Sequence, residues 1–242
     1  MDELWAQSPR ELRLANGEIH LWRAYLGLGE PRLSEFESML QPDERARADR
    51  YFFQRDRNRF VITRGVLREL LAKYVGGNPK GIPFGYAPQG KPFLRQGFEC
   101  SPIRFNVSHS HGLALLAFAL GRDVGVDVEM VRPDFGAEDI AERYFALEEI
   151  NELQALPKSL RAEGFFLCWT RKEAYIKARG AGLQIPLCSF QVSLTPGQQE
   201  LLHSEDADRW SLRSLHPDRE YVAALVGEGQ GWLLRCWDWS PQ

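Results

Sequence analysis

The chain has 242 residues, enough for one large domain or two of about 120 residues each. Hydrophobic residues make up 44% and charged residues 26% of the chain, a balance that excludes collagen-like, disordered and disulfide-scaffold proteins. The 30 basic and 33 acidic residues leave a net charge of −3, so the chain lacks the positive field expected of a general nucleic-acid binder.

The sequence also predicts where the protein resides. No apolar run approaches the roughly 18 to 20 residues of a membrane span, and the N-terminus lacks the basic and apolar segments of a signal peptide. The four cysteines are far apart and none forms a CxxC pair, which argues against a zinc site or a disulfide framework. We therefore expect a cytoplasmic protein that binds neither membranes nor nucleic acid, with reduced cysteines and Cys168 in the core.

The first part of the chain is predicted to form a strand followed by helices. Residues Glu18 to Leu26 alternate apolar and polar side chains, as in a half-buried strand. Pro42 to Glu44 is typical of a first helical turn, and apolar residues recur every three to four positions from Arg57 to Tyr74. The glycine- and proline-rich segment from Gly81 to Pro92 is predicted to be a loop.

The rest of the chain repeats this order. Phe105 to Leu120 and Val124 to Val131 are predicted to be two strands of one hairpin. Helices are predicted over residues 137–156 and from Phe165 to a glycine C-cap at Gly180. Short strands are predicted at 189–194, 210–215, 219–227 and 232–239. We therefore predict an α+β fold of two similar subdomains related by a pseudo-two-fold duplication, over residues 1–122 and 123–242.

Two acidic residues in the strand after residue 123 form the first candidate site. Asp127 and Glu129 are two positions apart, so both side chains lie on one face of a strand. Paired carboxylates repel unless a proton or cation lies between them, and oxygen ligands suit Mg²⁺. The alternative is a solvated strand face, where carboxylates need no partner.

The second candidate is a stripe on the long helix of the second half. Trp169, Glu173 and Lys177 are four residues apart and lie along one side of a helix. Glu173 is a candidate third metal ligand, and Lys177 would then meet a phosphate held by the metal. The alternative is an ordinary Glu–Lys pair on a solvated helix.

The third candidate combines a Ser–His segment with basic residues. Ser108 and His109 are able to hydrogen-bond a phosphate, although a histidine with a purely structural role is the alternative. A Ser–His nucleophile is disfavoured, because adjacent strand residues diverge and no GxSxG elbow is present. The basic residues are Arg45, Arg47, Arg50, Arg55, Arg57, Arg59, Arg64 and Lys91, which suit an anionic ligand or a solvated surface.

Together these residues resemble the Sfp-type 4′-phosphopantetheinyl transferases. Four blocks carry the resemblance: Gly90–Pro92, Phe105–Ser110, Gly125–Glu129, and the WxxKEAxxK pattern from Trp169 to Lys177 that continues to Gly182 and Leu183. The resemblance implies transfer of the phosphopantetheine arm of coenzyme A to a serine of an apo carrier protein, with release of adenosine 3′,5′-bisphosphate. The carrier would be of fatty-acid, polyketide or nonribosomal-peptide type.

The resemblance also implies roles for individual residues. Asp127, Glu129 and Glu173 would hold Mg²⁺, with Mn²⁺ as an alternative, against the coenzyme A pyrophosphate. Lys177 would stabilise charge on the pyrophosphate and leaving group, and the base that accepts the serine proton would be Glu173 or a metal-bound water. Lys172 would support the fold or the metal carboxylates.

The active site is expected in the cleft between the halves. The first half would bind the nucleotide end of coenzyme A, through Arg47, Arg59, Lys91, Ser108 and His109, with Lys177 from the second half. Glu44 occupies a site where family members often have a basic residue, for which Arg45 is the substitute. The second half would hold the metal and the carrier, whose acidic helix would meet Arg132, Phe135 and Arg143 in the segment 131–144.

Two other functions remain open at this point. A Mg²⁺-dependent phosphohydrolase or nuclease would use the same carboxylates and release product without an acceptor protein. A non-catalytic coenzyme A or carrier-binding module would be expected to lose a metal carboxylate, and all three are present. Because two halves build one cleft internally, we expect a monomer.

Overall fold

The structure, a computed structural model, describes residues 5–9, 11–95, 102–180, 182–196 and 202–241. Helices and strands in these ranges form an α+β fold, as the sequence predicts. The first part of the chain contains β1 (Trp5–Gln7), β2 (Glu18–Tyr25), α1 (Glu30–Met39), α2 (Pro42–Ala48), α3 (Gln54–Val75), β3 (Phe84–Tyr86), β4 (Pro92–Leu94), β5 (Ile103–Ser110) and β6 (Leu113–Leu120). The second part contains β7 (Val124–Met130), α4 (Glu138–Tyr144), α5 (Leu147–Ala155), α6 (Lys158–Arg179), β8 (Gln191–Val192), β9 (Leu202–His203), β10 (Trp210–Asp218), β11 (Tyr221–Glu228) and β12 (Leu233–Asp238).

The two halves have the same topology. In the first, β2 and β5 lie on either side of β6, and all neighbours are antiparallel. In the second, β7 and β10 lie on either side of β11 in the same way. Each half opens with a strand, continues with three helices, and ends with a hairpin whose last strand takes the centre of the sheet. The long helices α3 and α6 are each 22 residues, so the predicted duplication is confirmed.

A buried ion pair repeats in the two halves. Glu44, in the first turn of α2, accepts a hydrogen bond from the backbone N–H of Gln41, the N-cap residue of that helix. Its carboxylate lies 2.5 Å from the Arg68 guanidinium of α3. Glu149, in the first turn of α5, likewise accepts from its N-cap and lies 2.8 Å from the Lys172 ammonium of α6. Arg68 and Lys172 also donate to two or more backbone carbonyls of the segment that follows their helix. Burying these charges is tolerated because each has several polar partners.

The last strand of the chain joins the first sheet. β12 pairs with β2 in parallel, and β1 pairs with β12, so the order of this sheet is β1-β12-β2-β6-β5. A core of apolar residues from both sheets, including Ile19, Leu115, Val126 and Leu225, lies between them. The division of the chain at residue 122 stays a prediction.

The predicted hairpin between Phe105–Leu120 and Val124–Val131 is wrong. The first of these segments is itself a hairpin, because the chain turns at His111 and Gly112 between β5 and β6. His111 has a φ of 49°, a conformation that is uncommon outside glycine and marks a tight turn. β7 then pairs with β11 instead of β6.

Other details of the sequence prediction are also refined by the structure. The predicted loop between Gly81 and Pro92 contains β3, which pairs with β4, and β9 was not predicted. Cys168 is buried in the core as expected, and Cys100 lies outside the described residues. Among the residues that the structure describes, none belongs to a helix with the length and apolar character needed to cross a membrane.

Candidate active site

Polar side chains of β5 connect the two sheets. Asn106, Ser108 and Ser110 accept hydrogen bonds from the backbone N–H groups of residues 126, 128 and 130 in β7, at 2.9, 3.4 and 3.3 Å. Because side chains at every second position of a strand point the same way, one face of β5 supplies all three acceptors. These side chains satisfy backbone donors that β7 would otherwise leave unpaired at the sheet edge. The junction fixes β7 beside the Ser–His segment.

A glycine brings α6 against β7. A Cβ atom at Gly125 would lie 2.1 Å from the carbonyl oxygen of Ala174 and 2.3 Å from the backbone nitrogen of Ala178. Both contacts are with helix backbone, which cannot move aside as a flexible side chain does. Only glycine therefore allows this approach, and it places Glu173 and Lys177 of α6 beside Asp127.

Asp127 is the centre of the resulting cluster. Its side chain is 6% exposed, and Oδ1 lies 2.6 Å from the Lys177 ammonium. The Ser108 hydroxyl donates to the same oxygen at 2.7 Å. Oδ2 is buried and accepts no hydrogen bond from the described residues. A buried carboxylate oxygen without a partner is costly, so Oδ2 marks a position for a further cation or donor.

The two glutamates share the electrostatic field of Asp127. Ser110 donates to Glu129 at 2.6 Å, but burial and the negative charge of Asp127 raise the pKa of Glu129. Burial, followed by the charges of Asp127 and Glu129, raises the pKa of Glu173 to about 7. Like charges disfavour ionisation only at short range. The structure thus brings together the three carboxylates that the sequence singled out.

The donor set suits a magnesium ion, although the side chains are not arranged around one. Within the described part of the chain, no three His, Cys, Asp or Glu side chains are positioned to hold a metal. The cation bonded to Asp127 is instead the ammonium of Lys177. Burial and the charge of Asp127 raise the pKa of both Glu129 and Glu173, and these carboxylates, with the unpartnered Oδ2, provide the oxygen-only ligands that Mg²⁺ prefers.

A cavity of about 280 Å³ adjoins this cluster, between the two halves. Four cationic side chains line it, Arg47, Arg64, Lys91 and Lys177, and none of its described lining residues is acidic. Tyr51 and Phe60 add an aromatic wall, with ring centroids 5.5 Å apart. The cavity therefore suits a ligand that combines several negative charges with an aromatic group.

Lys91 connects the two halves at the edge of the cavity. Its ammonium donates to the carbonyl oxygens of Lys177 at 2.6 Å and Val124 at 3.2 Å. Burial, with smaller contributions from nearby charges that include Lys177, lowers the pKa of Lys91 to about 8. Lys91, which was predicted to contact the ligand, thus lines the cavity and also connects the proline-rich loop to the second half of the chain.

His109 lies on the cavity wall. The cavity is open, so the side chain remains accessible to solvent, but protein atoms surround much of the ring. This desolvation, with the positive charges of Lys177, Arg59 and Arg47, lowers the pKa of His109 to about 4. The imidazole is neutral near pH 7 and is available to donate or accept a hydrogen bond.

The comparisons with known proteins agree with one another. The model of the 4′-phosphopantetheinyl transferase superfamily matches residues 123–226, and that of the N-terminal region of 4′-phosphopantetheinyl transferases matches residues 29–120. The 4′-phosphopantetheinyl transferase HetI from Nostoc sp. is 39% identical over 98% of this chain and 99% of its own length. The chain belongs to the Sfp-type 4′-phosphopantetheinyl transferase family.

Two relatives from Bacillus subtilis extend this result. One 4′-phosphopantetheinyl transferase is 32% identical over 76% of this chain and 80% of its own length. The transferase Sfp is 28% identical over 74% of this chain and 78% of its own length. The resemblance inferred from the four sequence blocks is confirmed, and the chain is an enzyme of the phosphopantetheinyl transferase class.

The predicted contact residues differ in how they relate to the transferase's cavity. Arg47, Lys91, His109 and Lys177 line it. Ser108 is buried behind it and bonded to Asp127, Lys177 and β7. Arg59 does not line the cavity and instead pairs with Asp56 at 3.2 Å. Their contacts with a ligand stay predictions.

The transferase's cavity also contains residues that the sequence analysis did not assign. Arg64 has 8% side-chain exposure, lines the cavity and lies 3.8 Å from Glu44. It was visible in the sequence only as one arginine among many. Glu44 is fully buried against Arg68, so it has a structural role and does not reach a ligand. Arg45, the expected substitute, donates from Nε to the carbonyl of Leu40.

Proposed function

We propose that this transferase moves the 4′-phosphopantetheine moiety of coenzyme A to a serine of an apo carrier protein, in a Mg²⁺-dependent reaction that releases adenosine 3′,5′-bisphosphate. The observation that carries the proposal is the position of Lys177. It lines the cationic cavity and lies 2.6 Å from Asp127 in the carboxylate cluster. The phosphates of a ligand in the cavity would therefore lie near both Lys177 and the carboxylate cluster.

The charges of the cavity support coenzyme A as the co-substrate. Coenzyme A carries a 3′-phosphate, a pyrophosphate and an adenine ring. An arginine guanidinium group is able to form two hydrogen bonds to one phosphate. Arg47 and Arg64 both lie on the cavity wall. Tyr51 and Phe60 provide apolar surface for a base. The neutral ring of His109 adds a hydrogen-bonding group that does not require desolvation of a charge.

Asp127, Glu129 and Glu173 would hold the magnesium ion. When bound, the ion neutralises the pyrophosphate and thereby lowers the barrier to attack at phosphorus. The repulsion that raises the pKa values of Glu129 and Glu173 would be relieved by that positive charge. Ser108 and Ser110, bonded to Asp127 and Glu129, would orient the two strand carboxylates.

The chain's own groups would handle the proton and the developing charge. The serine oxygen of the carrier attacks the phosphorus attached to the pantetheine arm, and the bond from that phosphorus to the bridging oxygen breaks. The serine proton needs an acceptor, for which Glu173 and a water held by the metal are the two candidates, since a bound Mg²⁺ would lower the pKa of Glu173 from the value of about 7 that it has without the ion. Lys177 would stabilise the negative charge that remains on the leaving bisphosphate.

The site also supports a monomer, because a single chain supplies both walls of the cavity. The carrier could be of fatty-acid, polyketide or nonribosomal-peptide type. The rival functions, a phosphohydrolase or nuclease and a non-catalytic binding module, share the carboxylates or the cavity. No observation on the described residues favours either over transfer.

Intact-mass spectrometry tests the proposal. An apo carrier protein is incubated with the transferase, coenzyme A and Mg²⁺, with EDTA in a parallel reaction. We expect the carrier to gain one phosphopantetheine only when Mg²⁺ is available. Cleavage of coenzyme A without a protein adduct would show a hydrolase, and intact coenzyme A with several unrelated carriers unmodified would show a binding module.

A further inference from the structure

Two adjacent phenylalanines lie exposed between α2 and α3. Phe52 is 92% exposed and Phe53 is 61% exposed, and Phe52 has the highest exposure of any large hydrophobic residue in the described chain. Their rings contact each other edge to face, with centroids 5.0 Å apart. Exposing so much aromatic surface to water is unfavourable for an isolated protein. Aromatic residues of this kind are enriched at protein–protein interfaces. We name Phe52 and Phe53 the aromatic pair.

Positive charge flanks the aromatic pair. Arg50 is exposed on one side of it, and Arg55, with 71% side-chain exposure, lies on the other. The contact of Arg55 with Asp56, at 3.3 Å, is at the surface and contributes little stability. The patch is therefore locally basic, although the whole chain has a net charge of −3. Its composition fits an acidic partner with some apolar surface.

The aromatic pair lies at the entrance of the active site. Tyr51, the residue before it, lines the cavity. The positive charges of Arg132, Arg59 and Arg55 all act on His111 and, after burial, lower its pKa. The three arginines are therefore close enough to the β5–β6 turn to act on His111 electrostatically.

The β5–β6 turn connects this entrance to the carboxylate cluster. Ser110 lies 2.6 Å from a Glu129 oxygen and 3.1 Å from the Nδ1 atom of its neighbour His111. Arg132 and Phe135 line a small, largely apolar pocket together with Glu129. Aromatic and basic side chains from both halves of the chain thus adjoin the carboxylate cluster, in the cavity and in this pocket.

We propose that the aromatic pair, with Arg50 and Arg55, forms the first-half wall of the docking surface for the apo carrier protein. The inference rests on the proposed function and extends it to a second recognition surface, opposite the segment 131–144. The occupant is a folded carrier domain that presents an acidic helix with apolar side chains. The aromatic pair would pack on the apolar side chains, and the arginines would face the acidic ones. A carrier held by both walls would have its serine above Glu129 and Glu173.

Kinetics with the double variant Phe52→Ser/Phe53→Ser test this surface. We expect the KM for the carrier to rise by more than about tenfold, since buried interface anchors account for much of the binding energy. The KM for coenzyme A should stay within about twofold of the parent value, because neither residue lines the cavity. Arg55→Glu should raise the carrier KM in the same direction and reduce its dependence on salt. Leu233→Ser is the matched control, because Leu233 is 48% exposed on β12, which contributes nothing to the cavity wall.

A direct contact test accompanies the kinetics. With p-benzoylphenylalanine in place of Phe52, we expect light-dependent crosslinking to the apo carrier in the full-length enzyme, and none when the same group replaces Leu233. An unchanged carrier KM in the double variant would overturn the inference. So would a double variant that loses binding to phosphatidylglycerol vesicles while its carrier KM is unchanged, since that result assigns the pair to a lipid surface. If the parent enzyme modifies no carrier, the proposed function itself fails, which is a separate outcome.

Discussion

The Lys177 ammonium lies 2.6 Å from Asp127 Oδ1 and thereby joins the last turns of α6 to the middle of β7. The second oxygen of Asp127 remains buried without a hydrogen bond from the described residues. Glu173, one turn before Lys177 on α6, has no such ion pair among its described contacts. Burial and the negative charges of Asp127 and Glu129 raise its pKa. Replacing the carboxylate of Asp127 or of Glu173 by a neutral amide is therefore expected to change the stability of the fold in opposite directions.

Glu173→Gln is expected to stabilise the metal-free protein near pH 8 by on the order of 2 kcal/mol. The folded-state pKa of Glu173 is raised to about 7 from 4.5. Its contribution to stability is therefore complete below about pH 4.5 and is lost as the pH rises through 7. Urea unfolding with EDTA, at about pH 8 and pH 5, measures the gain, which should shrink at the lower pH. Asp127→Asn, which breaks the ion pair with Lys177, should destabilise the fold instead. A stabilised Asp127→Asn variant would contradict this assignment.

In the same Glu173→Gln variant, Mg²⁺ should no longer support transfer or stabilise the protein together with coenzyme A. We expect transfer to fall by more than about 100-fold, since even groups that only support a metal ligand cost 10- to 100-fold when removed. The rise in melting temperature caused by Mg²⁺ with coenzyme A should also disappear. Glu163→Gln, on the same helix but outside the cluster, is the control and should behave as the parent. Normal turnover in Glu173→Gln would remove the residue from the metal site.

Gly125→Ala is expected to destabilise the fold by at least about 2 kcal/mol and to reduce transfer strongly. The new methyl group would meet the backbone of Ala174 at 2.1 Å and of Ala178 at 2.3 Å, so α6 must move away from β7. Glu173 and Lys177 would move with the helix. Chemical denaturation and the mass assay measure both effects. Gly27→Ala, where a Cβ atom has no neighbour within 4 Å, is the control. Equal stability of the two variants would show that α6 tolerates the displacement.

Periodicity in the sequence predicted much of this site. The two-residue spacing of Asp127 and Glu129 and the four-residue spacing of Glu173 and Lys177 indicate shared faces on a strand and a helix, and the structure places both faces together. The local pattern did not show why they meet. That depends on Gly125, whose role is visible only when the backbone of α6 is known.

The fold was less predictable where the chain depends on distant partners. Nothing local indicates that β12 returns to β2, and the segment from Phe105 to Leu120 was predicted as one strand, although the chain turns at His111 and Gly112. That turn uses a non-glycine residue at positive φ, so no standard turn residue marks its start. Glu44 illustrates the same limit, because its buried partner Arg68 lies on another helix.

The pair of Lys172 and Glu149 should be strongly coupled. Lys172→Met leaves the Glu149 carboxylate fully buried without its cation, which is expected to cost about 3 to 5 kcal/mol. Lys172→Met/Glu149→Gln should recover part of this loss, because the amide is neutral and still able to accept from the backbone of Val192. Urea unfolding of the single and double variants gives the coupling energy. Additive effects would show that the two residues stabilise the fold independently.

His109 is expected to titrate near pH 4 in the free enzyme, well below its usual 6.5. Because the folded-state pKa is lowered, the associated stability is present above about pH 6.5 and is lost as the pH falls through 4. Adenosine 3′,5′-bisphosphate in the cavity should raise this pKa, since a nearby anion favours the imidazolium. NMR titration of the histidine ring signals, with and without the bisphosphate, measures both values. His216, exposed on β10, is the internal reference whose signal should not respond to the nucleotide. A His109 pKa that is the same with and without the bisphosphate would place the nucleotide away from this wall of the cavity.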